Sequence, residues 1–227
     1  MQRLKNKKTY IGIAIILLAF LIFLIFFLKN NDKNFEIGNT ISNKNIEEIE
    51  EYILNISSYE ATVSVTIESN KNTNKYVLEQ KYKAPNLSKQ IVLEPSNIAG
   101  IEIKYDGTNL TINNSNLNLQ KVYENYEYLA NNFLCLETFI KDYKSSKVSI
   151  QKENNEIMLE ASNENNNYAY HKKLFIDQNS GLPTKLLIED INNKTLVYIL
   201  YNEIELNNLK EDDILAFKTI EPKARLY

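Results

Sequence analysis

The chain reads as an α+β protein: a strongly curved antiparallel sheet with helices against its concave side, preceded by one N-terminal transmembrane helix. Three observations predict it. Ile11 to Leu28 is apolar throughout. From Tyr59 onward, apolar and polar residues alternate with period two in segment after segment, the mark of half-buried strands. Two stretches, near residues 46–56 and 122–143, instead carry apolar residues three or four apart, the mark of amphipathic helices.

The N-terminal run decides the compartment. The 18 residues from Ile11 to Leu28 span about 27 Å as a helix, close to the hydrocarbon thickness of a bilayer. Arg3, Lys5, Lys7 and Lys8 precede it, so the positive-inside rule keeps the basic tail 1–10 in the cytoplasm and exports the remainder. The run is longer than a signal-peptide core and no small-x-small site follows Leu28, which favours an uncleaved anchor at 11–28. A lipid anchor would need a cysteine just after the run, and the single cysteine is Cys135. Residues 29–45 are polar and read as a linker. The expected location is the cell membrane: single-pass, N-terminus cytoplasmic, with domain 46–220 and a short tail 221–227 outside the cytoplasm.

Ile46, Ile49, Ile53 and Ile56 open the exported domain as a helix ending near Ser57, with Glu47, Glu48, Glu50 and Glu51 on its solvated side, where acids favour the helix start. Tyr59, Ala61, Val63, Val65 and Ile67 then alternate with Glu60, Thr62, Ser64, Thr66 and Glu68 as a first strand. Asn70–Asn74 is a turn, and Tyr76, Leu78 and Tyr82 mark the returning strand. Ser88–Leu93 is a third strand between Pro85-Asn86 and Pro95. Ile101, Ile103 and Tyr105 lead into Asp106-Gly107, a strong hairpin signal, with Thr108–Asn113 as its second arm. Val122, Tyr126, Leu129, Phe133, Leu136, Ile140 and Tyr143 predict one or two helices broken near Asn131-Asn132. Strands resume at Lys147–Lys152, Glu156–Ser162, Tyr168–Asp177, Lys185–Asp190 and Lys194–Glu205. Leu196 to Tyr201 is apolar on both faces, so that strand should be central or covered on both sides.

The side-chain inventory excludes more than it offers. A net charge of −3, with bases and acids interleaved, predicts no nucleic-acid partner. With one cysteine and one histidine, thiolate zinc sites and almost every other zinc constellation are ruled out, so no metal and no cofactor are expected. Cys135 lies in the apolar stretch Asn132–Glu137 and reads as a small buried hydrophobe. His171, between Tyr170 and Lys172, reads as a surface strand histidine without a positioned nucleophile. No Gly-rich phosphate loop and no Gly-x-Ser-x-Gly occurs. A carboxylate pair of the glycosidase kind remains the one catalytic alternative. No catalytic, metal or cofactor residue is therefore assigned, and the chain is expected not to be an enzyme. The 15 tyrosines with no tryptophan, alongside frequent Asn and Lys, point to AT-rich coding in a low-GC bacterium and to aromatic packing on strands.

Several segments in this order resemble the LolA/LolB-like family of lipoprotein carriers: the opening helix with Tyr59-Glu-Ala-Thr-Val-Ser-Val65, then Tyr82-Lys-Ala-Pro-Asn-Leu-Ser88, Tyr105-Asp-Gly-Thr-Asn-Leu110, Leu174–Leu187 with Gly181-Leu-Pro183 in its turn, and Tyr201-Asn-Glu-Ile-Glu-Leu-Asn207. The resemblance covers about residues 46–220 and implies an incomplete antiparallel β-barrel. Within that family the chain is similar to the clostridial germination lipoprotein GerS and its relatives. That resemblance implies a sporulation or germination role in a Gram-positive cell, in which the protein binds and licenses a cortex-modifying, CwlD-like N-acetylmuramoyl-L-alanine amidase. GerS is held by a lipidated cysteine, whereas here a spanning helix takes that place. The alternative is a LolA-like carrier with a lipid or lipoprotein ligand, and a second copy of the chain, paired through sheet edges, is a further candidate partner.

Overall fold

The computed structural model of the protein describes residues 45–126, 134–164 and 166–215. All of them fall within one unit, Ile41–Tyr227. The expected basic tail, anchor and C-terminal tail lie outside the described residues, as do residues 29–44 of the linker. Among the described residues no helix is long and apolar enough to cross a membrane.

The elements are α1 (Ile46–Leu54), β1 (Ser58–Glu68), β2 (Thr73–Lys83), β3 (Leu87–Glu94), β4 (Ile101–Asp106), β5 (Leu110–Asn114), β6 (Leu119–Tyr123), α2 (Leu136–Ser145), β7 (Lys147–Glu153), β8 (Glu156–Ser162), β9 (His171–Asp177), β10 (Pro183–Glu189), β11 (Thr195–Leu206) and α3 (Asp212–Leu215). The strands form one 11-stranded antiparallel sheet in the order β6-β5-β4-β3-β2-β1-β11-β10-β9-β8-β7. It consists of two meanders, β1–β6 and β7–β11, joined by the pairing of the first strand with the last. β6 and β7 are its two unpaired edges, so the sheet is open.

Period-two alternation sorts the side chains. On the inner face, Tyr59, Ala61, Val63 and Val65 of β1 are buried with Ile157 and Leu159 of β8, Leu174 and Ile176 of β9, Leu186 and Ile188 of β10, and Val197, Ile199 and Tyr201 of β11. Ile49 and Ile53 of α1 and Leu136, Phe139 and Ile140 of α2 close over them. Asn45 caps α1, its Oδ1 accepting the Glu48 amide at 2.8 Å. Glu47, Glu48 and Glu51 are solvated as expected, whereas Glu50 is half-buried and accepts the Tyr143 hydroxyl at 2.8 Å, tying α1 to α2.

The chain between β6 and β7 must cross from one edge of the sheet to the other, and it carries α2 over the inner face. Near its start, Gln80 of β2 and Gln90 of β3 donate to Leu134 O (3.2 Å) and Cys135 Sγ (2.7 Å). Near its end, Lys172 of β9 pairs with Asp142 at 2.5 Å, and the helix contacts β8. In a flat sheet, the six inter-strand steps from β3 to β8 would span about 29 Å, roughly twice the ~15 Å length of a ten-residue helix. The sheet therefore curls around α2.

Several sequence expectations change. Val122 and Tyr126, read as the start of a helix, belong to edge strand β6 and the turn after it. All five β6 residues are exposed, so no alternation of burial marks the strand; Leu129, Phe133 and the break expected near Asn131-Asn132 lie outside the described residues, and α2 spans Leu136–Ser145. The helices are not confined to the concave side. α3 lies against β2, β3 and β4, where the buried side chains Lys89, Ile91, Glu102 and Lys104 all point away from α1 and α2. The run Leu196–Tyr201 is central, but Tyr198 and Leu200 stay 39% exposed, because only the inner face of β11 is covered. Strand β9 starts at His171 rather than Tyr168, since Asn166 turns the chain there by accepting the Tyr168 and Ala169 amides. The β4–β5 hairpin centres on Gly107-Thr108: Asp106 N donates to Asn109 O at 3.2 Å, and Gly107 takes φ +97°, the backbone that a hairpin with glycine first requires. The abundant asparagine also has a structural use. Asn118, Asn125, Asn154, Asn193 and Asn207 all adopt the left-handed region, which Asn tolerates better than other side chains with a Cβ.

The face assignment has a direct test on adjacent residues of β11. Ile199→Ala, at 0% exposure, should cost about 2–5 kcal/mol. Leu200→Ala, half-exposed on the other face, should cost less than about 1 kcal/mol. Chemical denaturation of the two variants decides it.

Candidate functional site

The start of α2 is where polar chemistry is buried. Cys135 stands at the N-cap with extended backbone and makes no side-chain capping bond. The Tyr59 hydroxyl of β1 substitutes for the cap: it accepts the Leu136 amide at 3.3 Å and donates to Glu137 Oε2 at 2.6 Å. Thr138 Oγ1 closes the turn on Cys135 O at 2.7 Å. Three neighbouring strands thus each send one polar side chain, Tyr59, Gln80 and Gln90, to the first turn of one helix. Cys135 is buried as expected, but it sits among polar groups rather than in a purely apolar setting.

This network is incomplete. Glu137 Oε1, Gln80 Oε1, Ser88 Oγ and the Tyr201 hydroxyl are buried without a hydrogen-bond partner in the protein. Such atoms are rare in native interiors and each costs stability. Glu137 is the residue among them that also lines a cleft. The cleft, about 350 Å³, is bounded by Leu54, Asn55, Ile56 and Ser57 at the end of α1, by Tyr82 and Ala84 at the end of β2, and by Glu137, Ile140 and Lys144 of α2. Residues 137, 140 and 144 fall on one face of the helix.

Two effects compete at Glu137. The start of α2 and the bonds from Tyr59 and Cys135 favour the ionised carboxylate, while burial favours the neutral acid. Burial wins, and the carboxyl is pushed up to about 7. The nearby phenols follow. Burial, reinforced by Glu137, raises Tyr59 well above its usual value, Tyr82 to about 12, and Tyr201 upward as well, with Cys135 contributing there.

His171 proves to have neighbours that the sequence did not bring together. Its Nδ1 lies 2.8 Å from Glu160 Oε1 and 3.1 Å from Ser162 Oγ. Serine and carboxylate meet the same ring nitrogen. A nucleophile-activating triad needs them on opposite nitrogens, so that the base takes the serine proton while the carboxylate holds the other side. The group belongs instead to an outer-face ladder that includes Lys173–Glu189 at 2.7 Å and Lys185–Glu156 at 3.2 Å. Among the described residues no three His, Cys, Asp or Glu side chains stand together as metal ligands. Sequence reasoning misses Glu137 because it closes an apolar stretch. The available signal is an acid within the apolar spacing of Leu136, Ile140 and Tyr143, on the side of the helix that turns inward.

The model of the YdcC-like sporulation protein family matches residues 12–215. The chain belongs to this family. No curated protein sequence matches it. Among solved structures, the YdcC-like chain is similar to a conserved protein from Thermus thermophilus (12% identity, 77% of this chain and 94% of that one, TM-score 0.50). It is also similar to the structure of the CwlD amidase from Clostridioides difficile in complex with the GerS lipoprotein (21%, 72% and 96%, TM-score 0.46), and to a LolA superfamily protein from Nitrosomonas europaea (12%, 77% and 99%, TM-score 0.42). The sporulation-family likeness expected from the sequence rests on the family match over residues 12–215. At these identities the structural matches speak to fold alone.

The Glu137 carboxyl gives the YdcC-like domain a pH dependence with a definite sign. Between its ordinary value of 4.5 and about 7 the unfolded chain has lost the proton and the folded chain keeps it. The contribution of this group to stability is therefore full below about pH 4.5 and is lost as pH rises through about 7, by roughly 3 kcal/mol in all. Thermal melts at pH 5, 6 and 8 should show this fall in the parent chain. Glu137→Gln should remove most of it.

Proposed function

We propose that this YdcC-like protein is a non-catalytic binding protein of sporulation or germination, tethered to the cell membrane through 11–28, with its domain outside the cytoplasm. Its partner in this reading is a cortex-modifying N-acetylmuramoyl-L-alanine amidase of the CwlD type, which it binds and licenses. The observation that carries the reading is membership of a sporulation family by a match spanning residues 12–215. The basic residues before the apolar run support the tether, and the GerS-like sequence pattern supports the choice of partner.

The described surface is consistent with a contact role. Tyr198 and Leu200 stand half-exposed on the outer face, and β6 and β7 are open edges able to accept another strand. On the outer face Lys173 pairs with Glu189 and Lys185 with Glu156. The lipid-carrier alternative gains nothing from the packing. The inner face is filled by α1 and α2, with Leu186 and Ile199 at 0% exposure, and the cleft beside them carries Glu137 and Lys144 in its wall.

Affinity capture of the full chain from sporulating cells should recover a cell-wall amidase, and adding the purified chain should raise that amidase's activity on cortex peptidoglycan. Recovery of no hydrolase counts against the reading. So would cleavage of peptidoglycan by the chain alone that disappears on one Asp or Glu substitution.

A further inference from the structure

We propose that the cleft between the end of α1 and α2 is a binding site for a primary alkylammonium group on an unbranched stem, the chemistry of a lysine side chain presented by a protein or peptide. The inference goes beyond the sporulation reading and does not depend on which partner carries the amine.

Three features of the cleft converge on a cation. Glu137 is 6% exposed, one of its oxygens has no hydrogen-bond partner, and it forms part of the cleft wall. In this proposal an N–H donor entering the cleft reaches past the wall to that buried oxygen and satisfies it. The C-terminal end of α1 reaches the same cleft through Leu54 and Asn55, and no basic residue occupies its last turn. No side-chain charge offsets the negative end of that helix, which favours positive charge, while the Asn55 side chain and the Asn55 and Ile56 amides already bond the Glu51, Tyr52 and Ile53 carbonyls. Between these two polar ends, Leu54, Ile56, Ala84 and Ile140 supply an apolar wall suited to a methylene stem.

The same features reject the competing chemistries. An anion would face both the Glu137 carboxyl and the carbonyl end of α1. A lipid amine such as phosphoethanolamine carries a phosphate two carbons away, which meets the same repulsion. Lys144 is the cation within the lining and is exposed, so it competes with an incoming ammonium rather than helping to hold it.

Binding should depend on pH through Glu137. The groups that face it are Tyr59 of β1, Tyr82 of β2, Tyr201 of β11, Cys135 before α2, and Lys144 of α2 itself; α1 contributes no titratable side chain to the lining. The three tyrosines are all raised and do not ionise near neutrality. With the carboxyl at about 7, the ionised fraction rises about tenfold from pH 6 to pH 8. Apparent affinity for an ammonium should follow that fraction.

The test uses the full chain in non-ionic detergent, titrated with N-acetyl-lysine-methylamide and followed by NMR or calorimetry. The controls are the norleucine analogue, which keeps the stem and lacks the nitrogen, and phosphoethanolamine. The lysine amide should bind about tenfold more tightly at pH 8 than at pH 6, and at least tenfold more tightly than either control. Glu137→Gln, near-isosteric and checked for folding by its melt, should abolish the preference for lysine. Lys144→Gln, which removes the competing cation from the cleft wall, should increase affinity. Equal binding of the norleucine analogue, unchanged binding by a folded Glu137→Gln, tighter binding at pH 6, or loss of binding in Lys144→Gln would each overturn the proposal. Phosphoethanolamine binding as tightly as the lysine amide would overturn the assignment to a side-chain amine.

Discussion

The pairing of β1 with β11 is the constraint on which the rest of the domain depends. It joins the first strand to the last, from Tyr59↔Leu206 to Ile67↔Val197, and turns two meanders into one continuous sheet. Either meander alone would carry a bare apolar inner face. The junction is reinforced at its end: Ser57 N donates to Asn207 Oδ1 at 2.7 Å and Leu209 N to Ser58 Oγ at 3.2 Å. These contacts close nearly the whole described chain into one loop, so the entropy of that closure must be overcome before the core can form. Local hairpins such as Asp106–Asn109, where the Asp106 carboxylate accepts the Thr108 and Asn109 amides at 3.0 and 2.8 Å, are inexpensive by comparison.

The site follows from the same topology. Because the two meanders end on opposite edges, the segment between them has to cross the inner face, and a helix is the way to cross an apolar surface with its backbone satisfied. A helix start laid over a sheet still exposes amide donors toward it. Tyr59 meets that demand from below by accepting the Leu136 amide, while Gln80 and Gln90 donate to Leu134 O and Cys135 Sγ just before the helix, which accounts for polar residues at inward positions of β1, β2 and β3 where alternation alone would call for apolar ones. Having supplied those partners, the network retains acceptors it does not use, Glu137 Oε1 and Gln80 Oε1 among them.

Much of this architecture is legible in the sequence because burial on one face writes itself as alternation. β1 is the clearest case, with its buried odd-numbered residues set against half-exposed even ones. Edge strand β6 is illegible for the same reason: with both faces exposed, nothing selects its residues by period. The chance spacing of Val122 and Tyr126 with the true stripe of α2 then carries the helix reading too far toward the N-terminus. The two-faced apolar run of β11 reads correctly as central, but pairing on both edges, not cover on both faces, is what makes it so. The site is the least legible part. Inward polar residues on separate strands, and an acid on a helix, acquire a common meaning only when the fold brings them to one place.

The contrast between His171 and Glu137 shows which observation separates scaffold from site. In the sequence His171 is the one candidate imidazole base, read as a surface strand histidine for want of a positioned nucleophile, and in the fold it does stand beside a serine and a carboxylate. Yet its contacts close on themselves: Glu160 and Ser162 converge on one nitrogen, Lys173 turns to Glu189, and the ladder ties neighbouring strands together across the outer face. Glu137 invites no such reading in the sequence. Its surroundings, however, raise its proton affinity and leave one oxygen buried and unsatisfied in a residue that lines a cleft. A folded chain tolerates that cost either as a defect or because a ligand removes it. Substituting the group for an uncharged isostere distinguishes the two, since a defect yields only stability and a site also yields a lost ligand. The side chain whose hydrogen bonds remain open, not the one with the more reactive name, marks where this protein meets something else.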